Sequence, residues 1–342
     1  MSARRRGFPW WPVLGLVCSL LLAVGAAAAG WAQRWVDTPA AISKPELQVT
    51  VERGASAREI AKRWADAGLD LPAQALGQWF LWSGDARRIR AGTYAVNAPI
   101  SPRALLQKMV DGDEALESVR LIEGWSFAQF RAALAKAAHL SSTTSGMNEA
   151  ALMGAIGAPG QRAEGRFFPD TYRFSRGATD VSVLKQAYQQ MQQRLAAAWE
   201  ARAPDHPLRT ADQALILASI VEKETGRGSD RGQIAGVFVN RLRIDMPLQT
   251  DPTVIYGLGE AFDGNLRKRD LQADTPFNTY TRRGLPPTPI AMPGAQSLRA
   301  AVQPEATAAL YFVARGDGSS QFSASLAEHN RAVNQYQRRG GP

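Results

Sequence analysis

The sequence predicts an α+β protein with an N-terminal transmembrane helix, a small α+β subdomain and a larger mixed α/β domain. Three observations carry this prediction. Residues Phe8–Gln33 carry no charge, Leu47–Val51 alternates as a half-buried strand does, and Asp180–Ala203 has apolar residues at helical spacing. At 342 residues the chain is long enough for two domains and a tail.

The uncharged N-terminal segment is long enough to cross a bilayer with about 30 Å of hydrocarbon. Arg4, Arg5 and Arg6 precede it and favour a cytoplasmic N-terminus. Tryptophans occur at both of its ends, where an aromatic belt is expected: Trp10, Trp11, Trp31 and Trp35. The alternative is a cleaved signal peptide, because Ala26–Ala29 supplies small residues. We expect a tail at 1–7, a retained single-pass anchor at 8–33, and a periplasmic ectodomain on the inner membrane.

Composition narrows the classes of partner and cofactor. The 40 basic and 31 acidic residues give a net charge of +9, which favours anionic lipid or acidic polymers. The basic residues are scattered and accompany no nucleic-acid motif, so nucleic acid is not expected. Cys18 is the single cysteine and excludes a disulfide framework. The three histidines lack ligand spacing, so the sequence predicts no metal and no cofactor.

The first subdomain is predicted at 47–116, after a proline-containing linker at 34–46. Beyond the strand Leu47–Val51, Ser56 and Glu59 have capping-box spacing before a helix that runs to about Ala67. Arg90–Val96 is predicted as another strand. The small α+β unit is either a binding module or a spacer.

The larger domain is predicted at 117–338, with a short tail at 339–342. Val119–Ile122 is strand-like, and Ser126 can cap a helix over Phe127–Ala138. A segment rich in glycine, proline and aromatic residues follows, and we expect most of its aromatic rings in the core: Phe167, Phe168, Tyr172 and Phe174.

The most informative segment is Ala211–Thr225, which is apolar almost throughout. Thr210 and Gln213 have capping-box spacing, and Gly226 is a natural stop. A helix that is apolar on all sides is buried. Glu222 falls in its last turn, where burial and the negative helix end both oppose a charged carboxylate, as a general acid requires. The alternative is a solvated turn with Glu222 paired to a neighbouring basic residue.

Further motifs accompany this segment in a fixed order. They are Glu123–Trp125, Glu164–Tyr172, Ile234–Leu242, Met246–Gly257, Asn278–Tyr280, Gly284–Leu298, Leu310–Gly318 and Glu328–Asn330. With Ile-Val-Glu-Lys-Glu-Thr at 220–225, they closely resemble the endolytic murein transglycosylases, the MltG or YceG-like family. The resemblance covers roughly residues 45–338. The strand, Gly-x-Ser turn and helix near residue 54 also resemble the opening of a LysM module.

The resemblance implies a lyase that cuts peptidoglycan glycan strands between MurNAc and GlcNAc and leaves a 1,6-anhydroMurNAc end. The linker Asp37–Lys44 spans at most roughly 28 Å when extended, so the ectodomain should stay close to the bilayer. We therefore expect nascent strands as substrate, membrane-bound peptidoglycan synthases as partners, and termination of strand elongation as the role. The first glutamate of the motif, Glu222, is then the catalytic residue that acts first as acid and afterwards as base. Glu224 lies about 200° further round the helix, so the two should not share a cleft. We expect Glu224 in a surface or supporting ion pair.

Several polar residues of these motifs could orient the sugar. They are Ser219, Asn240, Gln249, Asp251, Thr253, Tyr256, Asn278 and Tyr280. Asp251 is the best second carboxylate, although it could equally fix a turn beside Pro252. Two other functions remain open: a hydrolytic muramidase with Asp251 as nucleophile or base, and a non-catalytic glycan-binding scaffold for the synthases.

Overall fold

The computed structural model describes residues 11–225 and 227–338. The expectations for Arg4–Arg6, Trp10, Gly226 and the tail at 339–342 lie outside the described residues. The chain divides into two compact units, Met1–Leu116 and Glu117–Pro342.

The first unit consists of a long apolar helix followed in the chain by a small α+β structure. Its elements are α1 Trp11–Asp37, β1 Leu47–Val51, α2 Ala57–Ala67, α3 Ala73–Trp82, β2 Gly92–Val96 and α4 Pro102–Asp111. The two strands pair antiparallel with Val49 opposite Tyr94, and Trp64 and Phe80 are completely buried between them and the helices. Ser56 caps α2 as predicted. The small α+β unit is confirmed, and its likeness to LysM stays a prediction.

The first four residues of the predicted linker at 34–46 belong to a helix, and the rest is irregular chain. The helix α1 continues to Asp37, and Ala40 then forms backbone hydrogen bonds of 3.0 and 3.1 Å with Ile100. Ile42 forms a bridge with Leu69. The extended backbone between the prolines finds its hydrogen-bond partners on the unit itself. Backbone hydrogen bonds at Ala40 and Ser43 therefore hold this connecting segment against the unit.

The second unit is mainly helical with two strand pairs. Its elements are β3 Leu116–Arg120, α5 Phe127–Lys136, α6 Glu149–Ala155, β4 Thr171–Ser175, α7 Asp180–Glu200, α8 Ala211–Glu224, α9 Arg231–Arg243, α10 Asp251–Leu258, α11 Lys268–Gln272, α12 Ala295–Val302, β5 Tyr311–Ala314, β6 Ser320–Ser323 and α13 Leu326–Val333. β3 pairs with β4, and β5 pairs antiparallel with β6. The strand predicted at 119–122 starts and ends earlier. The helices predicted to end at 138 and 203 end at Lys136 and Glu200.

Helix α8 forms the centre of this unit. Thr210 caps it by accepting a 3.2 Å hydrogen bond from the Gln213 backbone, as predicted. Leu215, Leu217 and Ile220 have no exposed surface because α7, α9 and α12 pack around them. The four aromatic rings predicted as core are all buried. The helix therefore brings its last turn, with both glutamates, to a fixed place beside the core.

Candidate active site

The two glutamates at the end of α8, Glu222 and Glu224, lie in different environments. Glu222 is almost completely buried, and its Oε1 lies 3.3 Å from Arg231 Nη2. Its Oε2 accepts a 2.9 Å hydrogen bond from the Gly294 backbone N–H at the start of α12. Arg231 is itself held by Gln296 at 2.5 Å. Glu222 thus joins three helices through an arginine and a backbone amide, both of which are partners of a carboxylate anion.

Glu224 lines a cavity of about 660 Å³. Burial raises its pKa to about 7, the negative charge of Asp251 adds to this, and the hydroxyl of Thr250 and the charge of Arg241 oppose it. Thr250 Oγ1 donates a hydrogen bond to Glu224 Oε1. The expectation of a surface or supporting ion pair for Glu224 is wrong, because the segment before α10 covers this side of α8 and leaves a cavity there.

Three of the predicted sugar-orienting residues line the same cavity: Gln249, Asp251 and Tyr280. Tyr280 donates its hydroxyl proton to Asp251 Oδ1 at 2.5 Å. Gln249 has a φ of 50°, in the left-handed region that a non-glycine residue adopts at a cost of about 1–3 kcal/mol. Its backbone N–H donates to Thr279 at 3.0 Å, which keeps the residue in this conformation. Such local strain recurs at functional sites.

Arg241 is a buried residue of the cavity wall that sequence reasoning missed. Its Nε donates to the Leu310 carbonyl at 2.7 Å, and its Nη1 donates to the Leu248 carbonyl at 2.9 Å. The guanidinium also lies 5.1 Å from the centroid of the Tyr311 ring. In the part of the chain that the structure describes, it forms no ion pair with Glu224. Arg241 therefore ties β5 to the segment before α10 and acts on Glu224 as a nearby charge.

The opposite wall of the cavity comes from β5 and α13. Tyr311 and His329 stack with ring centroids 5.2 Å apart, and Leu326 and Val333 contribute apolar surface. Burial lowers the pKa of His329, and the nearby positive charge of Arg241 acts in the same direction. The motif Glu328–Asn330 was part of the resemblance, but no chemical pattern in the sequence connected it to α8.

Two predicted residues, Ser219 and Thr253, are completely buried away from this cavity. Ser219 Oγ donates to the Ile216 carbonyl at 2.7 Å and accepts from the Ile290 N–H at 3.0 Å. Thr253 Oγ1 donates to the Thr250 carbonyl at 2.8 Å. Both hydroxyls are satisfied by backbone, so the structure does not bring them to the site expected for them.

The two predicted asparagines are also engaged by backbone. Asn240 Nδ2 donates to the carbonyls of Thr307 and Ala309 at 2.8 and 3.1 Å. Asn278 is buried, and its Nδ2 donates to the Ala273 carbonyl at 2.7 Å. A buried amide must find partners, and here the partners are loops of the fold rather than an open groove.

Tyr256 faces a second buried acid. Its hydroxyl donates to Glu164 Oε2 at 3.2 Å, and the Phe127 N–H at the start of α5 donates to Glu164 Oε1 at 3.1 Å. Burial raises the pKa of Glu164 to about 7. This carboxyl lines a separate cavity of about 270 Å³. The structure therefore brings Tyr256 to a structural junction and not to the cavity beside Glu224.

Comparison with known proteins assigns the chain to one protein family. A model of the YceG-like family matches residues 49–335. The endolytic murein transglycosylase of Bacillus subtilis is 30% identical over 311 residues, which are 86% of each chain. The endolytic murein transglycosylase of Streptococcus pneumoniae is 31% identical over 180 residues, 51% of this chain and 32% of its own. A YceG-like protein structure from Listeria monocytogenes has a TM-score of 0.53 and 28% identity over 84% of this chain and 99% of its own. The chain therefore belongs to the YceG-like family.

Proposed function

We propose that this protein is a membrane-anchored endolytic murein transglycosylase. It cleaves the bond between MurNAc and GlcNAc within nascent glycan strands and leaves a 1,6-anhydroMurNAc end. Family membership supports the general activity, because the relatives from Bacillus subtilis and Streptococcus pneumoniae carry this name. Lytic transglycosylases are lyases, so the protein is an enzyme of that class.

Glu224 is the proposed proton donor, in place of the Glu222 that the sequence suggested. The observation that carries this choice is a carboxyl group with a pKa of about 7 in the wall of a 660 Å³ cavity. An acid catalyst must be protonated near the working pH and must reach the substrate. Glu224 meets both conditions. Glu222 is held by Arg231 and the Gly294 amide and does not line the cavity.

The proposed reaction needs one carboxyl group. Protonated Glu224 donates its proton to the glycosidic oxygen while the bond from that oxygen to C1 of the muramoyl residue breaks. The C6 hydroxyl of the same sugar then bonds to C1, and its proton returns to the Glu224 carboxylate. No water is consumed and the acid is regenerated. The carboxylate of Asp251, fixed by Tyr280, faces the same cavity and can stabilise the positive charge that develops at C1.

Digestion of uncrosslinked glycan strands with the purified protein tests this proposal. We expect products that end in anhydromuramoyl residues, one water lighter than reducing ends. Glu224→Gln should lower kcat by at least about 10² because the acid is lost. Glu222→Gln keeps an acceptor for the Gly294 amide and should retain more activity than Glu224→Gln. The reverse order of the two variants would return the acid role to Glu222.

A hydrolytic muramidase is the second candidate, because Asp251 lies in the same cavity as Glu224 and could activate water. The same digestion separates the two functions, since hydrolysis gives only reducing ends. The scaffold alternative requires that the purified protein cleaves nothing.

The proposed setting is the periplasmic face of the inner membrane. Leu16–Asp37 is apolar and long enough to cross a bilayer, and its most apolar 18 residues are not buried against the rest of the chain. A cytoplasmic N-terminus would then place the second unit beside strands that emerge from membrane-bound synthases. Cleavage there would terminate elongation, so cells that lack the protein should make longer strands.

A further inference from the structure

The first unit exposes a large apolar surface at the end of α3. Trp82 is 77% exposed and Leu81 is 45% exposed, whereas Phe80 beside them is completely buried. Phe80 thus packs in the core of the unit, whereas the indole ring of Trp82 is in contact with solvent. Two adjacent exposed apolar side chains, one of them an indole, make the end of α3 a candidate interaction surface.

This surface lies next to the end of α1. Trp79 precedes Trp82 by one helical turn, so the two rings share a face of α3. The guanidinium of Arg103 lies 5.4 Å from the centroid of the Trp79 ring. Arg103 Nε in turn lies 2.6 Å from Oδ1 of Asp37, the last residue of α1. A chain of direct contacts therefore connects the apolar face of α3 to the point where the long apolar helix ends.

Helix geometry brings the end of α1 to the level of the lipid headgroups. Trp31 is 71% exposed on α1 and is suited to the edge of the hydrocarbon region. Asp37 lies six residues further, about 9 Å along the helix. The headgroup layer extends roughly 5–8 Å beyond the hydrocarbon on each side. Asp37, where the contacts from α3 reach α1, therefore lies at about the outer edge of this layer.

The charges beside Trp82 favour a phospholipid surface. Arg87 and Arg88 follow in a short 3-10 turn, and both are exposed. Arg88 forms an ion pair with Asp85 at 2.8 Å, so Arg87 is the arginine of this turn that we expect to contact lipid phosphate. An indole ring beside guanidinium groups matches an interface of acyl chains and phosphates.

We propose that Trp82, Leu81 and Arg87 form a membrane-docking surface that seats the first unit on the same bilayer that α1 spans. The inference rests on the anchoring proposed above. Docking would limit the tilt of α1 in the bilayer and would fix the orientation of the first unit relative to the membrane surface. The occupant is the phospholipid headgroup layer, and a protein partner at this surface is the competing outcome.

Site-specific labelling of the full chain in vesicles of phosphatidylethanolamine and phosphatidylglycerol tests the proposal. Cys18→Ala removes the native thiol, and Gln78→Cys places a fluorophore one turn from Trp82 on the same face of α3. Asp111→Cys, at the far end of α4 from Arg103, is the control label. We expect the label at 78 to be shielded from aqueous iodide and quenched by spin-labelled lipid, with the opposite behaviour at 111.

Substitutions then identify the side chains that carry docking. Trp82→Ser and Arg87→Ser should each raise iodide quenching at 78 severalfold and leave the label at 111 unchanged. Ile244→Ser, which removes an exposed apolar residue of the second unit, is the matched control and should change neither label. A label at 78 that stays in water while the protein floats with the vesicles would overturn docking and favour a protein partner. Failure to float would instead contradict the anchoring.

Discussion

At the scale of single residues, the proposed chemistry depends on one proton that Glu224 holds near neutral pH. Because burial raises its pKa to about 7, kcat/KM should fall as the pH rises above 7 and the acid loses its proton. Asp251→Asn removes a negative neighbour that raises this pKa, so the falling limb should move to lower pH. The pH profile of kcat/KM on soluble glycan strands measures the shift, with the exposed Asp245→Asn as control. A limb that stays in place would contradict the assignment of Glu224.

Glu164 is the second residue with a predicted pH effect, and it acts on stability. Its pKa rises from 4.5 to about 7 on folding, so the folded state binds more protons than the unfolded state between these values. Its stabilising contribution is present below pH 4.5 and is lost as the pH rises through 7. The wild type should lose about 3 kcal/mol of its free energy of unfolding between pH 4.5 and 8 through this group. Glu164→Gln should not show this loss.

Urea unfolding at pH 4.5 and pH 8 measures this difference, with the exposed Glu260→Gln as control. Wild type and Glu164→Gln with the same pH dependence would show that Glu164 has no such role.

The residues of α8 also show where sequence reasoning stops. Helix geometry correctly separated Glu222 from Glu224, because positions two apart face different sides. It could not tell which side opens onto a cavity, since that depends on α9, α10 and β5 far along the chain. For the same reason, only some of the polar residues predicted to orient the sugar lie at the cavity. Gln249, Asp251 and Tyr280 line the cavity, whereas the buried amides and hydroxyls met backbone groups that no local pattern reveals.

At the scale of elements, close packing of α9 depends on a glycine. A methyl group added at Gly236 would lie 2.7 Å from the backbone oxygen of Glu305, which cannot move as a flexible side chain can. Gly236→Ala should therefore destabilise the protein by about 1–3 kcal/mol. Gly154→Ala in α6 meets nothing within 4 Å and should be neutral or stabilising by up to about 1 kcal/mol. Thermal unfolding compares the two, and equal effects would contradict the packing argument.

The N-terminal caps of the helices were the structural feature that the sequence predicted best. Ser56, Ser126 and Thr210 each accept a backbone hydrogen bond at the start of the helix predicted for them. The helix α1 continues four residues beyond the predicted anchor, to Asp37, and the prolines after it did not reveal what the backbone there pairs with. Local chemistry thus predicts where elements begin, and tertiary hydrogen bonds decide whether a connector is free.

At the scale of the whole molecule, the apolar N-terminal segment supports the proposed membrane location. We expect the protein to remain in the membrane pellet after carbonate extraction, because Leu16–Asp37 with a mean hydropathy of 1.7 is stable in hydrocarbon. Lys substituted at Leu21, near the middle of the segment, should reduce insertion, whereas Lys at Arg34 should not. A mature protein in the soluble fraction with a new N-terminus near Ala29 would show that the segment is a cleaved signal.

The completely buried helix α8 has a consequence for amide hydrogen exchange. The amides of Leu215, Leu217 and Ile220 lie in the centre of the second unit, where only a large opening of the structure exposes them to solvent. Their exchange should report the global unfolding of this unit and be among the slowest in the chain. Because the same helix carries Glu224, the proposed catalytic group cannot detach locally from the fold. Added denaturant should therefore abolish activity and protection of these amides in a single transition.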